Sequence, residues 1–193
     1  KELVQDIIMV SWSLFRVMIP TLIVVKIAQD LGVVDILDIW LKPITELIGL
    51  PASLSIVLTT TMLTNPYAGL IVLASLDMPF GLTVAETSIL ASFMLFAHAL
   101  PVEAVISRQA GTKIIFVVLL RIFTAIIFCF ILSQFLSRFD LLQKIAVIHL
   151  PEFQVMPSWL EWSLDQIKGL IFIQIVIIGL LTTLAILKTL GIE

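Results

Sequence analysis

The chain has 193 residues, 60% of them hydrophobic and 13% charged, with a mean hydropathy of +1.17; soluble domains run at roughly 45–50% apolar and about 25% charged. These proportions exclude an ordinary soluble domain and define an all-α integral membrane protein, read as a single membrane domain over 1–193 with room for about four to six membrane segments at roughly 20 apolar residues each. The net charge of −3 comes without a basic run, which argues against nucleic acid and against a polybasic lipid-binding tail, and the lone Cys129 excludes an internal disulfide or a multi-cysteine redox motif.

Residues 7–28 are expected to form the first spanning helix, with Arg16 and Pro20 inside it and Lys26, Gln29 and Asp30 at its exit. No A-x-A-like cleavage site follows Val25, so the segment reads as a retained helix rather than a signal peptide. In residues 31–48, LGVVDILDIWLKPITELI, the polar set Asp35, Asp38, Lys42 and Glu46 recurs every three or four residues. Val34, Leu37, Leu41, Ile44 and Ile48 recur on another face. That pattern predicts an amphipathic interfacial helix with Trp40 at headgroup level and a bend near Pro43.

After the punctuation GLP at 49–51, the segments 52–63 and 66–76 are apolar but short. Each makes roughly 18 Å of helix, against a hydrocarbon core of about 30 Å. They are therefore either a re-entrant hairpin with TNP at its tip or one span broken in the middle. A turn over 77–82 follows, and Thr83 with Glu86 reads as a capping box for the next helix. That helix is expected to break near His98, because Pro101 removes a backbone donor and disfavours helix at Leu100. Residues 113–136 form a span containing Arg121. Residues 138–168 make a polar excursion whose PSWLEWSLDQIK is a short interfacial helix, and 169–190 hold the C-terminal spanning helix.

Two interruptions hold the residues that can carry chemistry. Broken helix at membrane depth is tolerated only where it is buried in protein or lines a wet cavity. At the first, Thr61, Thr64, Asn65 and Tyr67, together with freed backbone groups, offer donors and acceptors to a desolvated solute; the bland alternative is that the threonines bond back to their own helix and Asn65 caps a turn. At the second, His98 and Glu103 flank Pro101, and ionisable groups at that depth mark a proton, ion or substrate path unless Glu103 is paired with Arg108 or Arg121. Arg16, Glu86 and Arg121 are expected in ion pairs that hold the bundle together. No metal site is expected, because His98 and Glu103 supply two ligands and His149 and Glu152 lie in the polar excursion. No nucleophile with a base, phosphate loop or metalloprotease spacing is present, so neither an enzyme nor a cofactor is expected.

The stretches GLPASLSIVLTTTMLTNPYAGLIV and FAHALPVEAVISRQAG, joined by a turn and preceded by an amphipathic helix, resemble the nucleoside-recognition or Gate family of membrane proteins. That family includes spore maturation proteins and the membrane gates of ferrous-iron transport protein B, with distant kinship to concentrative nucleoside transporters. The resemblance covers about residues 10–137, and the MLTN and AHALP-x-E signatures resemble those of short, stand-alone members. It implies a transporter or transporter subunit for a small polar solute, a nucleoside or related compound, in a prokaryotic inner membrane, with hairpin-tip residues Thr64 and Asn65 and broken-helix residues His98 and Glu103 meeting the solute. It equally allows a non-transporting scaffold of the spore-maturation type. The glutamine, threonine and glutamate of the nucleoside transporters' tip have no counterpart here.

One Gate-like unit of this length is small for enclosing a path, which points to a homo-oligomer. Setting aside Arg16 and Arg121 leaves nine cations. With a re-entrant 52–76 segment, Lys1, Arg108, Lys113 and Lys188 fall on one side and Lys26, Lys42, Arg138, Lys144 and Lys168 on the other. Neither this topology nor the spanning one gives the usual cytoplasmic excess. An antiparallel homodimer follows as an expectation, the alternative being a parallel oligomer oriented by its interfacial helices.

Overall fold

The computed structural model describes residues 2–76, 81–147 and 158–189. Among these the protein is helical without a strand, as expected where backbone polar groups must be satisfied inside each segment. Backbone packing divides the chain into two compact units, residues 1–20 with 154–193, and residues 21–153. The division falls at Pro20, inside α1 (Glu2–Asp30), where the ring removes the N–H that would bond the Arg16 carbonyl.

In the first unit the second long helix is α8 (Trp159–Thr189). The interfacial helix and the final span expected as separate elements are here one helix, running through Lys168 and Gly169 without interruption. A single glycine costs only about 1 kcal/mol relative to alanine, too little to end a helix of this length. Its start is fixed by a reciprocal cap, in which Ser158 N–H donates to Glu161 Oε2 at 2.9 Å and Glu161 N–H to Ser158 Oγ at 3.3 Å. Residues 148–157, with His149 and Glu152, lie outside the described part, as does most of the turn expected at 77–82.

The second unit is built around α2 (Val33–Leu47), a 3₁₀ turn (Ala52–Leu54) and α3 (Ser55–Leu63). The expected apolar face of α2 turns inward, with Leu41 and Ile48 buried on α3 and the turn before it. The helix also carries a second, outward apolar set, Ile36, Ile39, Trp40 and Leu47, so its charges form a strip between two apolar faces. Asp38 leaves that strip and accepts a hydrogen bond from Ser55 Oγ while pairing with Lys42 at 3.2 Å, which ties α2 to the start of α3. The helix ends in a Schellman motif: Gly49 N–H bonds the Glu46 carbonyl and Leu50 N–H the Thr45 carbonyl, both at 3.0 Å. Gly49 takes φ +80°, and a Cβ there would overlap Ser133.

α4 (Pro66–Ser75) packs against α3, bringing Gly69 beside Thr61, eight residues earlier. A coaxial continuation would separate them by about 12 Å. The pair is therefore a helical hairpin and not a broken span, with arms of about 15 Å that are half the length needed to cross a membrane.

α5 (Val84–Ala97) and α7 (Ile114–Arg138) lie together, with α6 (Leu100–Gln109) packed on α7 as well. The core between α3, α5 and α7 contains Val57, Leu58, Phe93, Ala97, Ala125 and Cys129. Cys129 is buried with its Sγ 3.5 Å from the Ile89 carbonyl, a packing role. The start of α5 is completed by part of the expected polar excursion: Val84 and Ala85 N–H donate to the Lys144 and Leu142 carbonyls at 2.9 Å. α7 buries a narrow stripe, Ala125, Cys129, Ser133 and Leu136, and leaves Phe116, Leu120, Phe123 and Ile131 exposed. An apolar surface of that extent belongs in lipid. Among the described residues four segments are long and apolar enough to span: Val4–Asp30, Val84–Gln109, Ile114–Arg138 and Trp159–Lys188.

Candidate functional site: two helix breaks that meet

In an unbroken helix the Thr61 carbonyl would accept from residue 65 and the Ala99 N–H would donate to Leu95. Both bonds are missing, because α3 ends at Leu63 and α5 at Ala97. The two orphans find each other: Ala99 N–H donates to the Thr61 carbonyl at 3.0 Å. The hairpin and the broken α5–α6 segment are thus joined at their interruptions. Ala99 holds φ 46°, ψ 37°, a left-handed conformation that costs a residue with a Cβ roughly 1–2 kcal/mol.

Three of the carbonyls freed at the end of α5, those of Met94, Leu95 and Phe96, are taken by side chains. His98 Nδ1 lies 3.0 Å from both the Met94 and Leu95 carbonyls. Arg121 Nε, from α7, donates to the Phe96 carbonyl at 2.7 Å. Across the break, Glu103 in the first turn of α6 receives His98 Nε2 on Oε1 at 2.8 Å and the Arg121 guanidinium on Oε2. His98, Glu103 and Arg121 are therefore one cluster, and Arg121, not Arg108, takes the carboxylate. Their side chains are 28%, 34% and 20% exposed, so the cluster stands at the margin of the core rather than sealed inside it.

At the hairpin tip the hydroxyls are used locally. Thr61 Oγ1 donates to the Val57 carbonyl at 2.8 Å and Thr64 Oγ1 to the Thr60 carbonyl at 2.7 Å. Asn65 is the N-cap of α4, its Oδ1 accepting from Ala68 N–H at 2.9 Å, and Pro66 occupies the first helical position, where no N–H is needed. Each hydroxyl keeps acceptor capacity, and the Asn65 side-chain amide keeps its donors. Tyr67 points outward, 73% exposed.

Two residues expected in ion pairs stand elsewhere. Glu86 serves the capping box at the opposite end of α5, where Oε2 accepts from Thr83 N–H at 2.7 Å and Glu86 N–H bonds Thr83 Oγ1. No cation pairs with it among the described residues. Arg16 is exposed in the first unit, again with no acidic partner among the described residues. Sequence reasoning passed over the Ala99 backbone, the Phe96 carbonyl and Gly69. For the first two the available signal was Pro101, which marks where backbone groups come free; for Gly69 it was a glycine inside an apolar helix.

What fold and site define is a helical integral membrane protein with paired interruptions and an ionisable cluster beside them. The chain is 31% identical over 112 residues to the uncharacterized membrane protein YvoD of Bacillus subtilis (strain 168), a match covering 58% of this chain and 35% of the relative. The match thus spans about a third of that relative's length. No protein-family model matches the chain, and no solved structure does.

Proposed function

We propose that this protein is a transporter, or the transport subunit of a larger assembly, for a small polar solute in a prokaryotic inner membrane, of the nucleoside-recognition kind that the sequence resembles. The observation that carries the reading is the junction of two helix interruptions at Thr61 and Ala99 beside the His98–Glu103–Arg121 cluster. Interrupted helices and intramembrane charges are costly in hydrocarbon and recur where a solute or ion must shed its water. In this reading Asn65, Thr64 and the acceptor sides of the hydroxyls meet the solute, and Glu103 with His98 responds to it. The path is completed by a second copy, arranged as an antiparallel homodimer. His98 is engaged by carbonyls and a carboxylate, and among the described residues no hydroxyl or thiol nucleophile is bonded to it.

A second reading, a membrane scaffold, is favoured by the local use of the threonine hydroxyls and the Asn65 cap. Reconstitution of the purified chain in liposomes with a panel of labelled nucleosides separates the two. Flux that is lost in Glu103→Gln while the variant stays folded supports transport. Folded, reconstituted protein that moves none of the panel leaves the scaffold reading standing.

A further inference from the structure

We infer that the α5–α6 break is a binding site for one proton, shared between His98 Nε2 and Glu103 Oε1. The existence of this site is independent of the transporter proposal; its use as the coupling ion rests on that proposal.

The argument starts from what each atom can do. Carbonyl oxygens only accept, so His98 Nδ1, 3.0 Å from two of them, must carry a hydrogen. A neutral ring protonated at Nδ1 has a bare lone pair at Nε2. That nitrogen lies 2.8 Å from a carboxylate oxygen, which when ionised is also a pure acceptor. Two acceptors do not hold that distance, so a proton lies between them, as imidazolium with carboxylate or imidazole with carboxylic acid. Arg121 occupies the other carboxylate oxygen, which keeps Glu103 in place whether or not the proton is present.

Among the described residues no other ionisable group joins the cluster: α3 has none, Glu86 serves the cap at the opposite end of α5, Arg108 on α6 is exposed, and on α7 Cys129 is engaged two turns away with the Ile89 carbonyl.

Release breaks the N–H bond at Nε2, or the O–H bond at Glu103, and passes the proton to water. Nothing is oxidised. The cluster goes from a net charge of one to neutral, and the His98–Glu103 contact, which fastens the end of α5 to the first turn of α6, is lost. The proton is thus one of two ties across the break; the other is Arg121, which joins the Phe96 carbonyl of α5 to Glu103 of α6 and remains when the proton leaves.

The test is ¹⁵N and ¹³C NMR on the full chain in nanodiscs, labelled in histidine and glutamate, with His149→Gln leaving His98 as the one histidine. The expected result is Nδ1 protonated at every pH where the protein is folded, with a single transition seen together at Nε2 and at the Glu103 carboxyl as pH rises. Glu103→Gln should abolish the joint transition. A bare Nδ1 at any such pH, or separate transitions at the two groups, would overturn the proposal. The unsubstituted cluster alone decides those outcomes, so they stand even if Glu103→Gln fails to fold. A positive result without solute flux would leave the proton site intact and remove the transporter reading.

Discussion

The Ala99 main-chain N–H donates to the Thr61 carbonyl at 3.0 Å, so the end of α3 and the end of α5 satisfy each other's broken helical bonds. The bond depends on an Ala99 backbone in the left-handed region. Ala99→Pro removes the donor and forbids that φ; it should destabilise by about 3 kcal/mol or more. Ala99→Gly relieves the strain while adding unfolded-state entropy, and should stay within about 1 kcal/mol of the native protein. Thermal unfolding in detergent measures both. Equal losses for the two variants would show that the bond does not hold the junction.

Arg121 serves two partners, the Phe96 carbonyl and the Glu103 carboxylate. Arg121→Met should cost about 3 kcal/mol, because it leaves a carboxylate and a helix-end carbonyl without their donor. Adding Glu103→Gln should recover part of that loss, since the uncompensated charge is gone. A double-mutant cycle reads the coupling, and strictly additive losses would dissociate the pair.

Gly69 lies so close to Thr61 that an added Cβ would overlap Thr61 Oγ1 and approach its Cβ to 3.2 Å. Alanine gains about 1 kcal/mol in helix propensity, but overpacking at this contact costs about 1–3 kcal/mol and wins. Gly69→Ala is therefore expected to lower the unfolding temperature. Thr61→Ala removes the overlapping oxygen, so the double variant should lose less than the sum of the singles.

Asn65 caps α4 through its Oδ1. Asn65→Ala should cost about 1 kcal/mol, whereas Asn65→Asp keeps the cap. If the Asn65 amide meets the solute, as proposed, Asn65→Asp loses binding or flux at unchanged stability. Full flux in Asn65→Asp would reduce the residue to a cap.

For the proposed antiparallel homodimer, a topology reporter at the C-terminus should give signal from both sides of the membrane in cells expressing the native sequence. Signal from one side alone would remove that arrangement. The basis is the near-even division of lysine and arginine, four against five, between the two sides.

The sequence by itself determined what depends on neighbours within a turn or two. Apolar content set the membrane class; the interruptions at Asn65–Pro66 and near His98, the Thr83–Glu86 box and the inward stripe of α2 were legible because caps, prolines and helical periodicity act over three or four residues. The join between 158–168 and the final span was misjudged, since polarity changes there but nothing breaks the helix. Only the tertiary structure decided what crosses longer distances: that α4 returns along α3, that residues 142–146 complete the start of α5, and that the two interruptions meet. It also chose among equivalent charges. Glu103 could have paired with Arg108 on its own helix, but Arg108 is exposed beyond the core, while α7 packs on α5 and α6 at the height of the break and delivers Arg121 to both an acid and a carbonyl. No local pattern encodes that height, because it is fixed by the Ala125–Cys129–Ser133 stripe on which α7 is seated, more than a turn away from the site it serves.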